Sequence, residues 1–414
     1  MASIPGKLAY SGTRQGLVKQ VSNRPASILH LSADYPDPVE PFKTPVIRTL
    51  VELTRSKFEH EVLSLNRRSP GAALFAKQVL RGGGCPRIRF TEQPFVDGSA
   101  ITYDAPSRGI YHASLLRQLG NGLSDRSQTD AKPDLIVGHK MTIEGIAARR
   151  MSKKLAVPYA ISIQGDTDTK ILNLRPDLAG EFKRIFHEAA VVFPFTPWAL
   201  HKVEKKLGKR KGPTVVLPCP TALDQPLQPS TTGSRELISV FHLKNYKRKN
   251  LKGLAEAMRL LAQSDPEICL TIVGGGSEED IARCKSMLVG LNNVSLAGPM
   301  SHDELRVRFN AAAGFVLPSL RESFGLVFIE ALFSGLPVIY PADNAIDGFF
   351  DNALFAVRVD ARSAEAIAGA MRRLVAQEGE TKRALAVWHA SATALRFQRK
   401  AIGDCFAAGL QAAC

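Results

Sequence analysis

No apolar run in the 414 residues approaches the ~18–20 needed for a bilayer-spanning helix, so a helical membrane span is excluded. Met1 to Ala26 is polar and basic and lacks the apolar core of a secretory signal. It reads as a disordered or tag-like leader. The six cysteines, Cys85, Cys219, Cys269, Cys284, Cys405 and Cys414, form no C-x-x-C pair, which argues against a disulfide framework and for a reduced, cytoplasmic protein. No repeat of solenoid period is present. Aromatic residues make up only 7% of the chain and are not interleaved with basic ones, so a nucleic-acid-binding module has no sequence support. The Gly274-Gly275-Gly276 loop is not a dinucleotide-binding turn, because Glu279 stands where G-x-G-x-x-G requires its third glycine. It also lacks the G-K-[S/T] of a P-loop.

Charge is abundant and uneven. Residues 1–220 carry 33 Lys/Arg against 19 Asp/Glu, whereas residues 221–414 carry 21 against 20. A basic first half suits an anionic partner: nucleic acid, an anionic membrane leaflet or a phosphorylated acceptor. Solubility alone would also account for it. The remaining composition is that of a globular protein long enough for two domains, with 45% hydrophobic and 22% charged residues.

Short apolar runs alternate with amphipathic stretches throughout, which predicts parallel α/β layering. Strands are expected at 27–32, 61–65, 134–138, 158–163, 189–193, 214–217, 236–241, 268–273, 294–297 and 314–317. Helices are expected at 45–56, 143–155, 178–188, 198–207, 251–263, 278–290, 303–312 and 364–378, with a last helix from about 384 to the end. Residues 66–133 carry weak signals, a Gly82-Gly83-Gly84 loop and a helix near 110–119. The Pro/Ser/Thr-rich stretch 225–233 is the best linker, giving domains at 27–222 and 223–383 and a C-terminal helix over 384–414.

Ligands of open α/β sheets bind at the carboxyl ends of the strands. Three loops of the second half fall there. The first, 242–250, crowds Lys244, Lys247, Arg248 and Lys249 before a helix start; either the turn is solvated or an anion lies between the cations and the helix dipole. The second is the triple-glycine turn, in isolation a tight strand-to-helix connection. The third, 320–326, opens a helix that holds Glu330 in an otherwise apolar run, with Glu322 eight positions earlier. A lone buried carboxylate is costly, so Glu330 must reach an exposed edge or meet hydroxyl groups. The two acids read either as a glycosidase-like acid/base pair or as acceptors of ligand hydroxyls. The free amides of Ser323-Phe324-Gly325-Leu326 suit an oxyanion.

The run Pro318-Ser319-x-x-Glu322-Ser323-Phe324-Gly325-Leu326-x-x-x-Glu330-Ala331-x-x-x-Gly335-x-Pro337-Val338-Ile339 resembles the E-x7-E signature of retaining GT-B glycosyltransferases of group 1 (family 4). Leu270-Thr271-Ile272-Val273-Gly274-x-Gly276 and Asn293-Val294-x-x-x-Gly298 resemble that family's nucleotide-side loops and Lys249-Asn250 its phosphate-binding lysine segment, which implies that Gly274, Gly275, Gly276, Gly298 and His242 bind the donor. The resemblance is strong over 236–340 and ordered over 27–220. It implies two Rossmann-like domains facing across a cleft, the first binding a glycan or lipid-linked acceptor and the second a nucleotide-diphosphate sugar, with the C-terminal helix crossing back. It implies that Glu330 binds ribose hydroxyls, that Glu322 holds a donor-sugar hydroxyl, and that amides at 324–326 meet sugar and diphosphate. Lys249 would neutralise the diphosphate, with no metal or cofactor.

Three departures stand out. Phe241-His242-Leu243 replaces the family's Gly-Arg-Leu, leaving Lys244, Lys247 or Arg248 to substitute for its arginine. Gln164-Gly165-Asp166 replaces a frequent His-Gly. Residues 37–44, including Lys43, replace a Gly-Gly loop. Gln164, Gly165, Asp166 and Lys43 are therefore placed on the acceptor side, and His139, at a strand end, is placed in the cleft. Rival readings are a GT-B epimerase or phosphorylase and a catalytically silent binding subunit. Peripheral contact with an anionic inner membrane face is expected from Arg149, Arg150, Lys153, Lys154 and the basic run 202–211.

Overall fold

A computed structural model describes residues 24–71, 77, 79–80, 86–106, 111–126 and 132–414. Two parallel sheets, each covered by helices, are joined by a short connection. The leader over 1–23, the Gly82-Gly83-Gly84 turn and the start of the helix near 110 lie outside the described residues.

In chain order the first domain contains β1 (Ala26–Ser32), α1 (Val46–Thr54), β2 (Phe58–Arg68), β3 (Phe90–Phe95), β4 (Gly98–Asp104), α2 (His112–Arg126), β5 (Leu135–Gly138), α3 (Glu144–Leu155), β6 (Tyr159–Ile163), α4 (Asp166–Leu174), α5 (Ala179–Glu188), β7 (Val191–Pro194) and α6 (Pro197–Leu207). Its sheet runs β3-β4-β2-β1-β5-β6-β7. Strands β5, β6 and β7 are buried along their whole length, as expected of parallel strands covered on both faces. Only β3 pairs antiparallel, with β4. It is an exposed edge strand carrying Pro94, so it has neither the continuous apolar run nor the alternation that marks a strand in sequence. The segment 214–217 forms no strand. It follows β7 as extended backbone through one bridge, Val192 with Thr214.

The second domain contains β8 (Glu236–Val240), α7 (Leu251–Ser264), β9 (Cys269–Val273), α8 (Glu278–Met287), β10 (Val294–Gly298), α9 (His302–Ala311), β11 (Gly314–Val316), α10 (Leu326–Phe333), β12 (Val338–Pro341), β13 (Ala356–Val359), α11 (Ala364–Ala376), α12 (Glu378–His389), α13 (Ala392–Leu395) and α14 (Arg399–Ala413). Its sheet order is β10-β9-β8-β11-β12-β13. Ser277 and Asp280 form a capping box on α8, and Ser301 and Glu304 form another on α9. The expected continuous C-terminal helix is broken: α12 spans position 384, and Ser391 caps a new short helix. Helix α14 then packs on the first domain, where Phe406 meets Phe193 at 5.1 Å and Asp404 pairs with Lys57 at 2.9 Å.

The Pro/Ser/Thr-rich stretch is not a free linker. Leu227 donates to the Phe333 carbonyl at 2.7 Å, and Asn310 donates to the Gln228 carbonyl at 3.0 Å, tying it to the second domain.

The β1–α1 loop is organised by Asp37, whose side chain is fully buried. Its Oδ1 accepts from the amides of Val39 (2.7 Å) and Glu40 (2.9 Å). Its Oδ2 accepts from Lys43 Nζ (2.9 Å), Asn66 Nδ2 (2.9 Å) and Ser64 Oγ. Burial alone would raise this acid, but the hydrogen bonds from Ser64, Lys43 and Asn66 outweigh it and bring the pKa down to about 2. Its stabilising contribution is therefore complete above the unfolded value near 4 and is lost as pH falls from about 4 to about 2. Removing one partner of a buried pair costs about 3–5 kcal/mol. Asp37→Asn should thus lose stability of that order in urea unfolding at pH 6, with a shallower further loss between pH 5 and 3 than the native chain. Equal acid limbs in the two proteins would show that Asp37 is not the group responsible.

Candidate active site

Both sheets present the carboxyl ends of their strands to a cleft of about 790 Å³. On the second domain's side it is lined by His242, Asn245, Arg248, Lys249, Glu322, Ser323, Phe324, Gly325, Leu326 and Glu330. On the first domain's side it is lined by Asp34, Thr44, Lys140, Gln164, Asp166 and Thr167. A second cavity, about 700 Å³ beside β13, includes none of the motif residues.

Lys249 and Glu322 meet in this cleft as an ion pair, each side chain 12% exposed. Local backbone sets both in place. Asn250 adopts a left-handed conformation (φ 62°) and caps α7 through Gly253 N at 3.2 Å, so the chain reverses just after Lys249. The Glu322 amide donates to Asn344 Oδ1 at 2.8 Å. Gly325 opens α10 at φ 74°, where a Cβ would lie 2.7 Å from the Phe328 ring. One turn inside α10 lies Glu330, 9% exposed yet lining the cleft. Burial raises its pKa, and His302 and the Ala222 backbone amide draw it partly back.

This half of the cleft therefore holds one carboxylate already paired with a cation, one desolvated carboxylate without an ionic partner, and the first-turn amides of α10. Such a set accepts hydrogen bonds from ligand hydroxyls and donates them to a ligand anion. Among the described residues no group of three or more His, Cys, Asp or Glu is placed to hold a metal ion.

The domains are tied across the cleft. Arg321 makes a two-pronged contact with Asp166, Nε to Oδ1 at 2.9 Å and Nη2 to Oδ2 at 2.8 Å. Trp198 donates from Nε1 to the Ala345 carbonyl at 2.7 Å, and Lys202 donates to the Asp343 carbonyl at 2.9 Å.

Residues 228–386 match the family description "Glycosyl transferases group 1". The chain carries a glycosyltransferase group 1 domain. That domain holds the Lys249–Glu322 pair and Glu330. The chain is 26% identical over 263 residues to the putative teichuronic acid biosynthesis glycosyltransferase TuaC of Bacillus subtilis, which covers 61% of this chain and 64% of TuaC. Among solved structures, sucrose-phosphate synthase of Thermosynechococcus elongatus aligns with a TM-score of 0.65 and 20% identity over 91% of this chain and 96% of that one. HepE of Anabaena, in complex with UDP and glucose, aligns with a TM-score of 0.59 and 15% identity over 93% and 99%. The fold is GT-B, with two Rossmann-like domains and parallel sheets facing across the cleft.

The motif residues expected to work together are brought together: Lys249, Arg248, Glu322, Ser323, Phe324, Gly325, Leu326 and Glu330 all line the cleft, as do His242, Gln164 and Asp166. Several others are placed elsewhere. His139 does not face the cleft. It is fully buried in a chain running from Ser162 Oγ (3.4 Å) through His139 to His30 (2.9 Å), then His60 (2.9 Å) and Thr54 (3.1 Å). Burial lowers its pKa to about 3, so it is a neutral packing residue. Lys43 belongs to the Asp37 cluster rather than to the acceptor wall. Lys244 and Lys247 are exposed and line no part of the cleft, Lys247 lying 5.7 Å from the Tyr246 ring centroid. Gly274, Gly275, Gly276 and Gly298 are not among the residues that line the cleft. A Cβ on Gly274 would lie 1.9 Å from the Phe241 carbonyl oxygen, and Gly276 is packed against Leu243. Gly165 is buried at the start of α4.

Sequence reasoning missed Asp34, Lys140, Arg321 and Asn344. The first two had a signal, since each stands two residues beyond a strand end. Arg321 had none, because its partner Asp166 is 155 positions away.

The Arg321–Asp166 pair is half exposed on the arginine side, so its coupling should be about 0.2–1 kcal/mol in a double-mutant cycle. Hydrogen exchange of Arg321→Ala should accelerate in the loops 164–168 and 320–325 while the strands stay protected. Unchanged exchange in those loops would show that the Arg321–Asp166 pair is not what holds them.

Proposed function

We propose that the protein is a retaining glycosyltransferase that moves a sugar from a nucleotide-diphosphate sugar to a hydroxyl of a glycan or lipid-linked acceptor, in surface polysaccharide or glycolipid assembly. The observation that carries this reading is the meeting of Lys249, Glu322, Glu330 and the α10 amides in one interdomain cleft. HepE, of the same fold, is in complex with UDP and glucose, which supports a nucleotide-sugar donor.

In this reading the Glu330 carboxylate accepts hydrogen bonds from the ribose, adding to what the Ala222 amide and His302 already supply. The diphosphate takes Lys249 away from Glu322, and Glu322 turns to a sugar hydroxyl. Arg248 and His242, on the same wall, stand where the family's arginine would be. The bond from the anomeric carbon to the diphosphate oxygen breaks, leaving its electron pair on the phosphate. The acceptor oxygen bonds to that carbon from the same face, and its proton passes to the departing phosphate oxygen. Cations and amides stabilise the leaving group, with no metal needed. The tied cleft limits the competing attack of water. The exposed bases Lys153 and Lys154 on α3, and Lys205, Lys206 and Lys209 at and just after the end of α6, suit contact with an anionic inner membrane face.

Two variants test the reading. In thermal-shift titrations against a panel of UDP and GDP sugars, the native protein should respond selectively and Glu330→Ala should not respond. An unchanged response in Glu330→Ala would overturn the assignment. Glu322→Gln separates binding from turnover. With its competitor gone, Lys249 should bind nucleoside diphosphate about tenfold tighter, about 1.4 kcal/mol, while transfer falls on the order of 10²-fold or more. Weaker nucleotide binding would mean that the pair does not open for the diphosphate.

A further inference from the structure

In a doubly wound sheet the ligand crevice lies where the strand order reverses. In the second domain the reversal falls between β8 and β11, and the loops after those strands bring Lys249 and Glu322 together. In the first domain it falls between β1 and β5. The loops after those strands bring together Asp34 and Lys140, with Nζ 2.6 Å from Oδ2. Each domain thus sets an acid–lysine pair at its own reversal, and both pairs line the same cleft.

The two pairs differ in which partner faces outward. In the second domain acid and base are equally accessible. In the first, the Lys140 side chain is 8% exposed and that of Asp34 25%, so the ammonium lies behind the carboxylate. Lys140 is also held from behind. Burial pulls its pKa down, but Glu144 and Asp34 more than offset that and keep it charged. Glu144 is fully buried; its Oε1 accepts from the Ala33 amide at 2.6 Å, and its Oε2 has no hydrogen-bond partner. Asp168, also fully buried, accepts from the Thr142 amide (3.0 Å), Thr142 Oγ1 (2.8 Å) and the Gln164 amide (2.9 Å).

Drawing Lys140 out toward a ligand anion would leave Glu144 and Asp168 buried without their cation. An incoming anion would also meet the Asp34 carboxylate first, since Asp34 is the more exposed partner and Lys140 lies behind it. Asp166, the other acid on this wall, is held by Arg321, and Gln164 and Thr167 are neutral. Among the described residues nothing holds Asp34 Oδ1.

We propose that Asp34, held by Lys140, is a positioning residue that accepts a hydrogen bond from an acceptor hydroxyl, so that the part of the acceptor entering this crevice is a neutral polyol and not a phosphate or carboxylate. This rests on the transferase reading. A phosphorylated acceptor would keep its charged group outside the β1/β5 crevice.

Matched neutral and phosphorylated probes test it: methyl α-D-glucopyranoside with glucose 6-phosphate, and myo-inositol with its 1-phosphate. Each is offered to the full chain with saturating UDP or GDP and read by saturation-transfer NMR. The neutral member of a pair should bind the native protein better than its phosphate. Asp34→Ala should weaken it at least tenfold, and Asp34→Asn, which keeps an accepting oxygen, should weaken it less. Nucleotide-sugar thermal shifts should stay unchanged in both variants, which a merely structural role for Asp34 would not predict. Preference for the phosphate, or no difference between native protein and Asp34→Ala across the panel, overturns the proposal. Absence of any nucleotide-sugar response in the native protein would instead fault the transferase reading, and the probe comparison would still decide the character of the crevice.

Discussion

Charges at the carboxyl ends of parallel strands must find partners, and here those partners come from distant parts of the chain. Lys249 and Glu322 are 73 positions apart, yet the strand order puts β8 beside β11 and leaves their following loops nowhere else to converge. A lysine and a glutamate each only 12% exposed need a counter-charge, either each other or a ligand. In the structure they meet each other. A donor would impose the second, because a diphosphate competes for the cation and a sugar hydroxyl for the acid. The pair therefore stores the two ends of the site against one another and keeps the cleft's charge balanced before anything binds.

The same loops carry the ties between domains. Arg321 directly precedes Glu322, and Asp166 follows Gln164 and Gly165 on the opposite wall. The Arg321 guanidinium thus links the 320–326 loop to the start of α4. Asp168, in that helix, holds the Gln164 amide and supports Lys140. The two walls of the cleft and the tie between them thus form one connected polar network, whereas the Asp37 cluster fixes the neighbouring β1–α1 loop independently.

Much of the second domain was legible in sequence because local rules agreed there: apolar strands of constant rhythm, a capping box at Ser277, and a motif, Pro318 to Ile339, whose parts lie within about two dozen residues. What escaped was non-local. β3 is an exposed edge strand without an apolar signature, and α4 begins in a polar Asp-Thr-Asp-Thr run that reads as a turn. His139 looked like a cleft residue because it ends a strand. Its ring instead turns inward to His30, and no spacing in the sequence reveals that His30 and His60 lie beneath it. Lys43 was misplaced for the same reason, since its partners Asp37, Ser64 and Asn66 come together only through the pairing of β1 with β2.

The strongly basic first half points differently once the charges are located. Its bases lie mainly outside the cleft: Arg149 pairs with Glu188, Arg117 with Glu181 and Arg55 with Asp97, while Lys153, Lys154, Lys205 and Lys206 are exposed. Arg210, in the run that read as a solvated face, is buried and donates to the carbonyls of Phe186 and Ala189. Inside the cleft the same domain presents carboxylates around one hidden lysine. The two signs act over different ranges. Exposed positive charge on the outside of the domain is felt within about a Debye length, roughly 8 Å at physiological salt. The acids at the β1/β5 reversal act only at hydrogen-bonding distance and select what enters. Net charge thus describes the neighbourhood in which the domain works, and the crevice, opposite in sign, describes the group it takes.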